Sequence, residues 1–176
     1  MRLEIIEKAK KIRMLLLDVD GVLTDGSIFY LSGRQEIKAF FVHDGLGIRM
    51  ANRAGIVVAF VSARESEMVA RRASELQVAE VHQRVEDKIS LWEGLLDRYQ
   101  LSPENVAVMG DDLTDLPLLS RAGLSIAVAN AVEEVKGRVD LVTEHEGGRG
   151  AVREVTDLLL RAQGQYEEQL SRYLDK

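Results

Sequence analysis

Short blocks of leucine and β-branched residues recur along the chain, separated by stretches whose apolar positions fall three and four apart. The blocks are Met14 to Leu17, Ile56 to Val61, Val106 to Met109, Leu124 to Ala129 and Val139 to Val142. Polar residues scarcely interrupt them, and such continuity predicts strands buried on both faces of a parallel sheet. The intervening stretches Gly45 to Arg53, Glu65 to Leu76, Asp87 to Tyr99, Asp115 to Arg121 and Ala151 to Arg161 predict helices. Strand alternating with helix gives an α/β fold with a doubly wound parallel sheet. One stretch breaks the alternation: residues 27–42, SIFYLSGRQEIKAFFV, predict two β runs around Ser32-Gly33, a hairpin inserted straight after the first strand. Leu3, Ile5, Ile6 and Ala9 predict a short amphipathic helix over 3–11, with Lys8, Lys10 and Lys11 as a solvated face. The tail, about 164–176, either extends the last helix past Gly164 or frays.

A length of 176 residues suits one domain spanning 1–176 with its own core. The chain is 46% hydrophobic and 30% charged with only two prolines, a profile of a compact, water-soluble protein. A net charge of −6 argues against a main task of gripping nucleic acid or an acidic membrane surface. The absence of cysteine excludes disulfides, thiolate catalysis and cysteine-based zinc sites, and is compatible with a reducing, cytoplasmic setting. The stretch MRLEIIEKAKKIRMLLLD has basic residues in its middle and a short apolar run leading into charged sequence, so neither a signal peptide nor a membrane span is expected.

In α/β sheets, ligands sit beyond the carboxyl ends of the strands, which directs attention to the residues closing each apolar block. The first closes on Asp18-Val19-Asp20-Gly21-Val22-Leu23-Thr24-Asp25-Gly26, the second on Ser62-Ala63-Arg64, and the block at Val106 on Gly110-Asp111-Asp112-Leu113-Thr114-Asp115; Lys88 opens a helix between the last two. Carboxylates gathered at one sheet edge repel one another unless a hard cation neutralises them. Oxygen donors without His or Cys point to Mg2+. Asp18 is then placed to attack phosphorus and become an aspartyl-phosphate. Asp20, two residues on along an extended segment, is on the same side and can protonate the departing alkoxide and later deprotonate water. Ser62 and Lys88 supply a hydroxyl and a cation for the phosphate, since phosphoryl transfer is mainly positioning and charge stabilisation. A lone D-x-D-G is more often a calcium-type turn or a plain loop. Here Gly21 comes too early for an EF-hand loop, Val22 stands at the next alternate ligand position, and three further segments follow in order. Taken singly, Ser62 also reads as a helix cap and Lys88 as a surface residue.

The segments KIRMLLLDVDGVLTDG, EIKAFFVHDGLGIRM, GDDLTDLPLL and GGRGAVREVTDLLLRAQG resemble the motifs of the haloacid dehalogenase superfamily, and in particular its small capless tetrameric branch acting on 3-deoxy-D-manno-octulosonate 8-phosphate. That resemblance implies a Rossmann-like sheet with a hairpin flap and no large cap domain, and a phosphatase of lipopolysaccharide precursor synthesis. It implies Asp18 as nucleophile and Asp20 as general acid/base. The magnesium ligands would be Asp18, Asp111 and the Asp20 main-chain carbonyl, with Asp112 and Asp115 in support. Substrate contacts map onto Asp20, a loop comprising Phe41, Val42, His43, Asp44 and Gly45, and Arg49, Arg64, Arg72 and Lys88. Guanidinium groups suit a sugar acid bearing carboxylate and phosphate. A homotetramer is implied, with neighbouring subunits closing each site. The Gly147-Gly148-Arg149-Gly150 stretch is then either a mobile segment near a neighbour's site or a turn feeding the helix at Ala151. His43 stands where relatives usually carry Arg, and Ala63 where Gly is common.

Three other readings compete. A nonulosonate 9-phosphate phosphatase of the sialic acid type would tend to carry Glu at Arg64. A phospho-accepting receiver module lacks the Asp18-Val19-Asp20 pair. A silent assembly module for a cytidylyltransferase is at odds with intact Asp18, Asp20, Lys88 and Asp111.

Overall fold

The computed structural model describes residues 3–30 and 36–174. Helix α1 (Leu3–Lys10) leads into strand β1 (Met14–Asp18), which is followed by a π-type turn over Val19–Leu23. Strands β2 (Phe29–Tyr30) and β3 (Glu36–Ile37) pair antiparallel as the inserted hairpin. The Ser32-Gly33 turn expected between them lies outside the described residues. The chain continues through α2 (Val42–Arg53), β4 (Val57–Val61), α3 (Glu67–Leu76), β5 (Glu80–His82) and α4 (Lys88–Tyr99). After β6 (Val106–Gly110) come α5 (Leu116–Leu119), β7 (Leu124–Ala127), α6 (Glu133–Lys136), β8 (Leu141–Val142), α7 (Ala151–Ala162) and α8 (Tyr166–Leu174).

The main sheet is six-stranded and parallel, in the order β5-β4-β1-β6-β7-β8. The chain starts at β1, builds outward through β4 and β5, then crosses to β6 on the other side of β1. That reversal of direction creates the switch point at which ligands of such sheets bind. Register does the rest. Asp18 pairs with Val61 and Leu17 with Met109, so the residues following these strands, Ser62 and Asp111, converge on Asp18. Leu15, Leu16, Leu17, Val58, Ala59, Phe60, Ala107, Val108 and Met109 are all buried, as the uninterrupted apolar blocks require. Helices flank the sheet: α1 and α2 pack on α7, and α4 packs on α5.

The sequence pattern missed two elements. Strand β5 offers a single apolar residue, Val81, and is held as an edge strand by polar contacts instead. Buried Glu80 accepts from Arg98 at 2.9 and 3.0 Å and from the Tyr99 hydroxyl at 2.7 Å, both on the last turn of α4. Helix α6 has only four residues, too few to show a period. The tail neither extends α7 nor frays. Gly164, at φ +69°, breaks the helix, Gln165 N–H closes on the Leu160 carbonyl at 2.8 Å, and α8 follows. It is anchored on this chain by Arg161 stacked on the Tyr166 ring at 3.5 Å, by buried Gln169, and by Arg53 donating to the Tyr173 hydroxyl at 2.9 Å.

Candidate active site

The turn after β1 owes its shape to glycine and threonine. Gly21 has φ +113°, a conformation that a side chain at this position resists, and a Cβ there would lie 2.0 Å from the Asp111 carboxylate. Buried Thr24 closes the turn: its N–H donates to the Val19 carbonyl at 3.1 Å, and its hydroxyl accepts from Gly21 N–H at 3.4 Å and Gly26 N–H at 3.2 Å. Asp18 and Asp20 are thereby held on a fixed scaffold at the sheet's C-terminal edge.

Oxygens of Asp18, Asp111 and Asp115 lie within 4.8 Å of one another. Lys88 is the counter-charge: its ammonium donates to Asp115 Oδ1 at 2.6 Å and to Asp18 Oδ1 at 3.3 Å. It is buried, not the surface residue that its sequence position also allowed, because Asp87 caps α4 by accepting from Ile89 and Ser90 N–H and turns Lys88 into the cleft. Burial opposes its charge, but Asp115 and Asp18 outweigh burial and hold its pKa above the ordinary value. One ammonium does not neutralise three carboxylates. Burial first, then Asp115, push the Asp18 carboxyl well above the usual range. Asp111 is raised to about 7 by burial and by Asp115 and Asp112. Unrelieved negative charge on oxygen donors fits a hard divalent cation.

Asp115 has both oxygens engaged, Oδ1 by Lys88 and Oδ2 by the Asp111 N–H at 3.0 Å. It therefore orders the loop, and Asp18 and Asp111 keep oxygens for a cation. Asp112 is exposed and caps its own turn through Leu113 N–H at 2.7 Å. Ser62 is buried and does not cap α3, whose N-cap position is Ser66; its Oγ accepts from Arg64 N–H at 3.1 Å, leaving its hydrogen to donate into the cleft.

The segment Phe41 to Gly45, expected as a loop, is instead the first turn of α2. Val42 and His43 are exposed there, with the Phe41 and His43 rings edge to face at 4.9 Å. Asp44 turns inward: it is buried and accepts from Arg153 N–H at 2.8 Å in the first turn of α7, so within this chain it joins α2 to α7. Burial raises its pKa. A Cβ on Gly45 would lie 2.2 Å from the Arg72 guanidinium, which also lies over the Phe40 ring at 5.9 Å. Arg49 is exposed on α2.

Sequence reasoning missed one contribution and left another between two readings. The first is Lys38, whose side chain is 1% exposed and whose ammonium pairs with the Asp20 carboxylate. No sequence signal marks it, since the contact exists only once the hairpin folds back over β1. The second is the glycine turn before α7. It feeds that helix, as one of the two readings had it, and is seated on this chain's own Asp18 loop. Gly148 N–H donates to the Val22 carbonyl at 2.9 Å and Gly147 N–H to Asn130 Oδ1 at 2.9 Å. A Cβ on Gly147 would fall 1.6 Å from the Gly21 carbonyl oxygen. Gly147→Ala should therefore displace the Gly21 turn and lower turnover at least about tenfold, the scale expected when reacting groups shift by under an ångström. Steady-state kinetics on a folded variant check this; undiminished turnover would show that the turn does not depend on the close approach.

Comparison with known proteins places these features in context. A profile of the haloacid dehalogenase-like hydrolases matches residues 64–155. The 3-deoxy-D-manno-octulosonate 8-phosphate phosphatase KdsC of Escherichia coli K12 is 47% identical over 165 residues, covering 94% of this chain and 88% of that protein. The crystal structure of the Moraxella catarrhalis 3-deoxy-D-manno-octulosonate 8-phosphate phosphatase, in complex with a magnesium ion, a phosphate ion and KDO, superposes with a TM-score of 0.95 at 40% identity, covering 98% of this chain and 99% of that one. The Yersinia pestis phosphatase of the same name gives a TM-score of 0.93 at 42% identity, covering 95% and 90%.

Proposed function

Because the chain belongs to the haloacid dehalogenase-like hydrolases, we propose that it is a magnesium-dependent phosphatase that hydrolyses 3-deoxy-D-manno-octulosonate 8-phosphate to the free sugar acid and phosphate, a step of lipopolysaccharide precursor synthesis. The observation that carries this reading is the convergence of Asp18, Asp111 and Asp115 on buried Lys88 at the sheet's switch point. Asp18 and Asp111, with the Asp20 main-chain carbonyl, would hold the magnesium. When bound, the ion supplies positive charge that lets a carboxylate approach a phosphate.

In this reading an Asp18 oxygen forms a bond to phosphorus as the sugar C–O–P ester opens at phosphorus. The Asp20 carboxyl delivers a proton to the departing alkoxide. Asp20, now a carboxylate, takes a proton from water as that water attacks the aspartyl-phosphate, and Asp18 and inorganic phosphate are released. Ser62 Oγ and Lys88 Nζ steady the phosphoryl oxygens, and Asp112 and Asp115 support the loop that carries Asp111. The first turn of α2, with Phe41, Val42, His43 and Gly45, and Arg49, Arg64 and Arg72 receive the sugar acid, with Asp44 fixing that turn against α7.

Among the described residues no helix is long and apolar enough to cross a membrane, and a cytoplasmic site of action fits the cysteine-free sequence. The hairpin exposes Ile28, Phe29, Tyr30 and Ile37 at 41–72% of their surface. An apolar flap of this kind supports the homotetramer, with neighbouring subunits covering the flap and completing each site. A nonulosonate 9-phosphate substrate would leave the chemistry unchanged but is disfavoured by the guanidinium of Arg64. Phosphate release from the octulosonate 8-phosphate and from a nonulosonate 9-phosphate, side by side with magnesium and with EDTA, tests the proposal. Magnesium-dependent preference for the first is expected. Preference for the second would overturn the substrate, and release in EDTA would overturn the metal.

A further inference from the structure

The hairpin carries charged groups into the cleft, and they form a closed ring with the residues at its mouth. Lys38, immediately after β3, pairs with Asp20 and lies 3.3 Å from Glu36 Oε1. That same Glu36 oxygen accepts from Arg64 Nη2 at 3.3 Å, and Arg64 Nε stands 3.7 Å from Asp20 Oδ2. Two carboxylates thus alternate with two cations. The nearby Tyr30 side chain on β2, with Glu36 and Asp20, holds the Arg64 pKa above its ordinary value. Burial pushes the Glu36 carboxyl up, but Lys38 and Arg64 outweigh it and hold Glu36 ionised below its ordinary range. The partners differ in exposure: the Lys38 side chain is 1% exposed and that of Glu36 16%, while that of Arg64 is 42% exposed. The ring is therefore anchored on the hairpin side and open on the Arg64 side.

A free arginine samples many rotamers, and ordering it only when ligand arrives weakens binding. Here the guanidinium is already tethered, Nη2 by Glu36 and Nε beside Asp20, while the side chain stays 42% exposed. The planar fork pairs with carboxylates through two parallel hydrogen bonds, so orientation decides what it recognises. We propose that Glu36 is a specificity-determining positioning residue: it holds Arg64 over Asp20 in the orientation that receives the carboxylate of the sugar acid, with Lys38 locking Glu36 and Asp20 into the same frame. Selectivity for an acidic sugar then depends on the hairpin as well as on the sheet. The proposal rests on the reading that a sugar-acid phosphate is the substrate.

The test compares that octulosonate 8-phosphate with p-nitrophenyl phosphate, which carries the phosphate and no carboxylate. Glu36→Gln keeps the shape of the side chain and removes its charge. It is expected to raise KM for the sugar acid about tenfold, the loss of one charge-assisted contact, and to lower kcat/KM for p-nitrophenyl phosphate by much less, so that the ratio of the two shifts against the sugar acid. Arg64→Ala should raise the same KM, and adding Glu36→Gln to Arg64→Ala should cost nothing more, because one residue acts through the other. Equal losses on both substrates, or additive losses in the double variant, would overturn the proposal. A wild-type enzyme showing no preference for the sugar acid over p-nitrophenyl phosphate would overturn the substrate reading and the proposal with it, so the two failures are distinguishable.

Discussion

Replacing Asp18 by Asn is expected to abolish turnover, with kcat falling by about 10,000-fold or more, the scale seen when a covalent nucleophile is removed. The amide keeps the shape of the carboxylate but cannot form the acyl-phosphate. The fold should survive. Asp18 ends β1 with its backbone in register with Val61, a pairing that the side chain does not make. Stability should even rise in the metal-free protein, because the Asp18 carboxyl sits well above its ordinary pKa through burial and the proximity of Asp115. A carboxyl whose folded pKa is raised destabilises the fold once pH exceeds its unfolded value, as the protein must then bury a charge or keep a proton. Thermal melts of the metal-free variant and wild type at neutral pH, beside a phosphate-release assay, check both halves. Retained turnover would remove Asp18 from the nucleophile's place, and a large loss of melting temperature would mean that the carboxylate has a structural role instead.

The second large effect concerns Asp111. Its carboxyl lies at about 7 without metal, raised by burial and by Asp115 and Asp112. A cation needs the carboxylate, so magnesium must displace a proton below that pH. The magnesium concentration for half-maximal activity should therefore be nearly constant above about pH 8 and rise about tenfold per unit as pH falls below 7, since one proton is released per ion bound. Asp111→Asn should weaken magnesium binding by at least about 100-fold, a magnitude reasonable for losing one of few anionic ligands. The pH dependence should flatten as well. Metal-free stability shifts the other way: the Asp111 carboxyl, with its pKa raised, costs stability as pH rises from about 4 to 7, and Asp111→Asn should lack that contribution. Magnesium titrations at several pH values, read by activity and by isothermal calorimetry, separate these effects. A wild-type titration independent of pH would contradict the assignment of Asp111 as a ligand.

What the sequence made legible follows from where each signal lives. The buried strands announce themselves because both faces are covered, so every residue from Met14 to Leu17 or from Val106 to Met109 must be apolar. The acidic centre was equally legible, since Asp18, Ser62 and Asp111 follow directly on such blocks and parallel register brings strand ends together. Strand β5 was not, because an edge strand held by the contacts of Glu80 with Arg98 and Tyr99 carries no apolar run. Val42 to Asp44 read as a loop for a related reason: α2 has no side-chain cap at its N-terminus, and its first turn exposes Val42 and His43. Lys38, Glu36 and Gly147 act through contacts made across the fold. Nothing in the local pattern distinguishes them from a solvated lysine, a solvated glutamate and a turn glycine.

The most direct test of the covalent route uses Asp20→Asn with p-nitrophenyl phosphate and magnesium. The leaving group needs no proton, so phosphorylation should proceed, while the water-activating carboxylate is missing and hydrolysis should stall. The account predicts a burst of about one p-nitrophenolate per chain followed by slow release. Borohydride added to the stalled enzyme should convert residue 18, and no other, to homoserine. A full burst with Asp18 unmodified, or steady release at the wild-type rate with no burst, would contradict the assignment of Asp18 as nucleophile and Asp20 as the base.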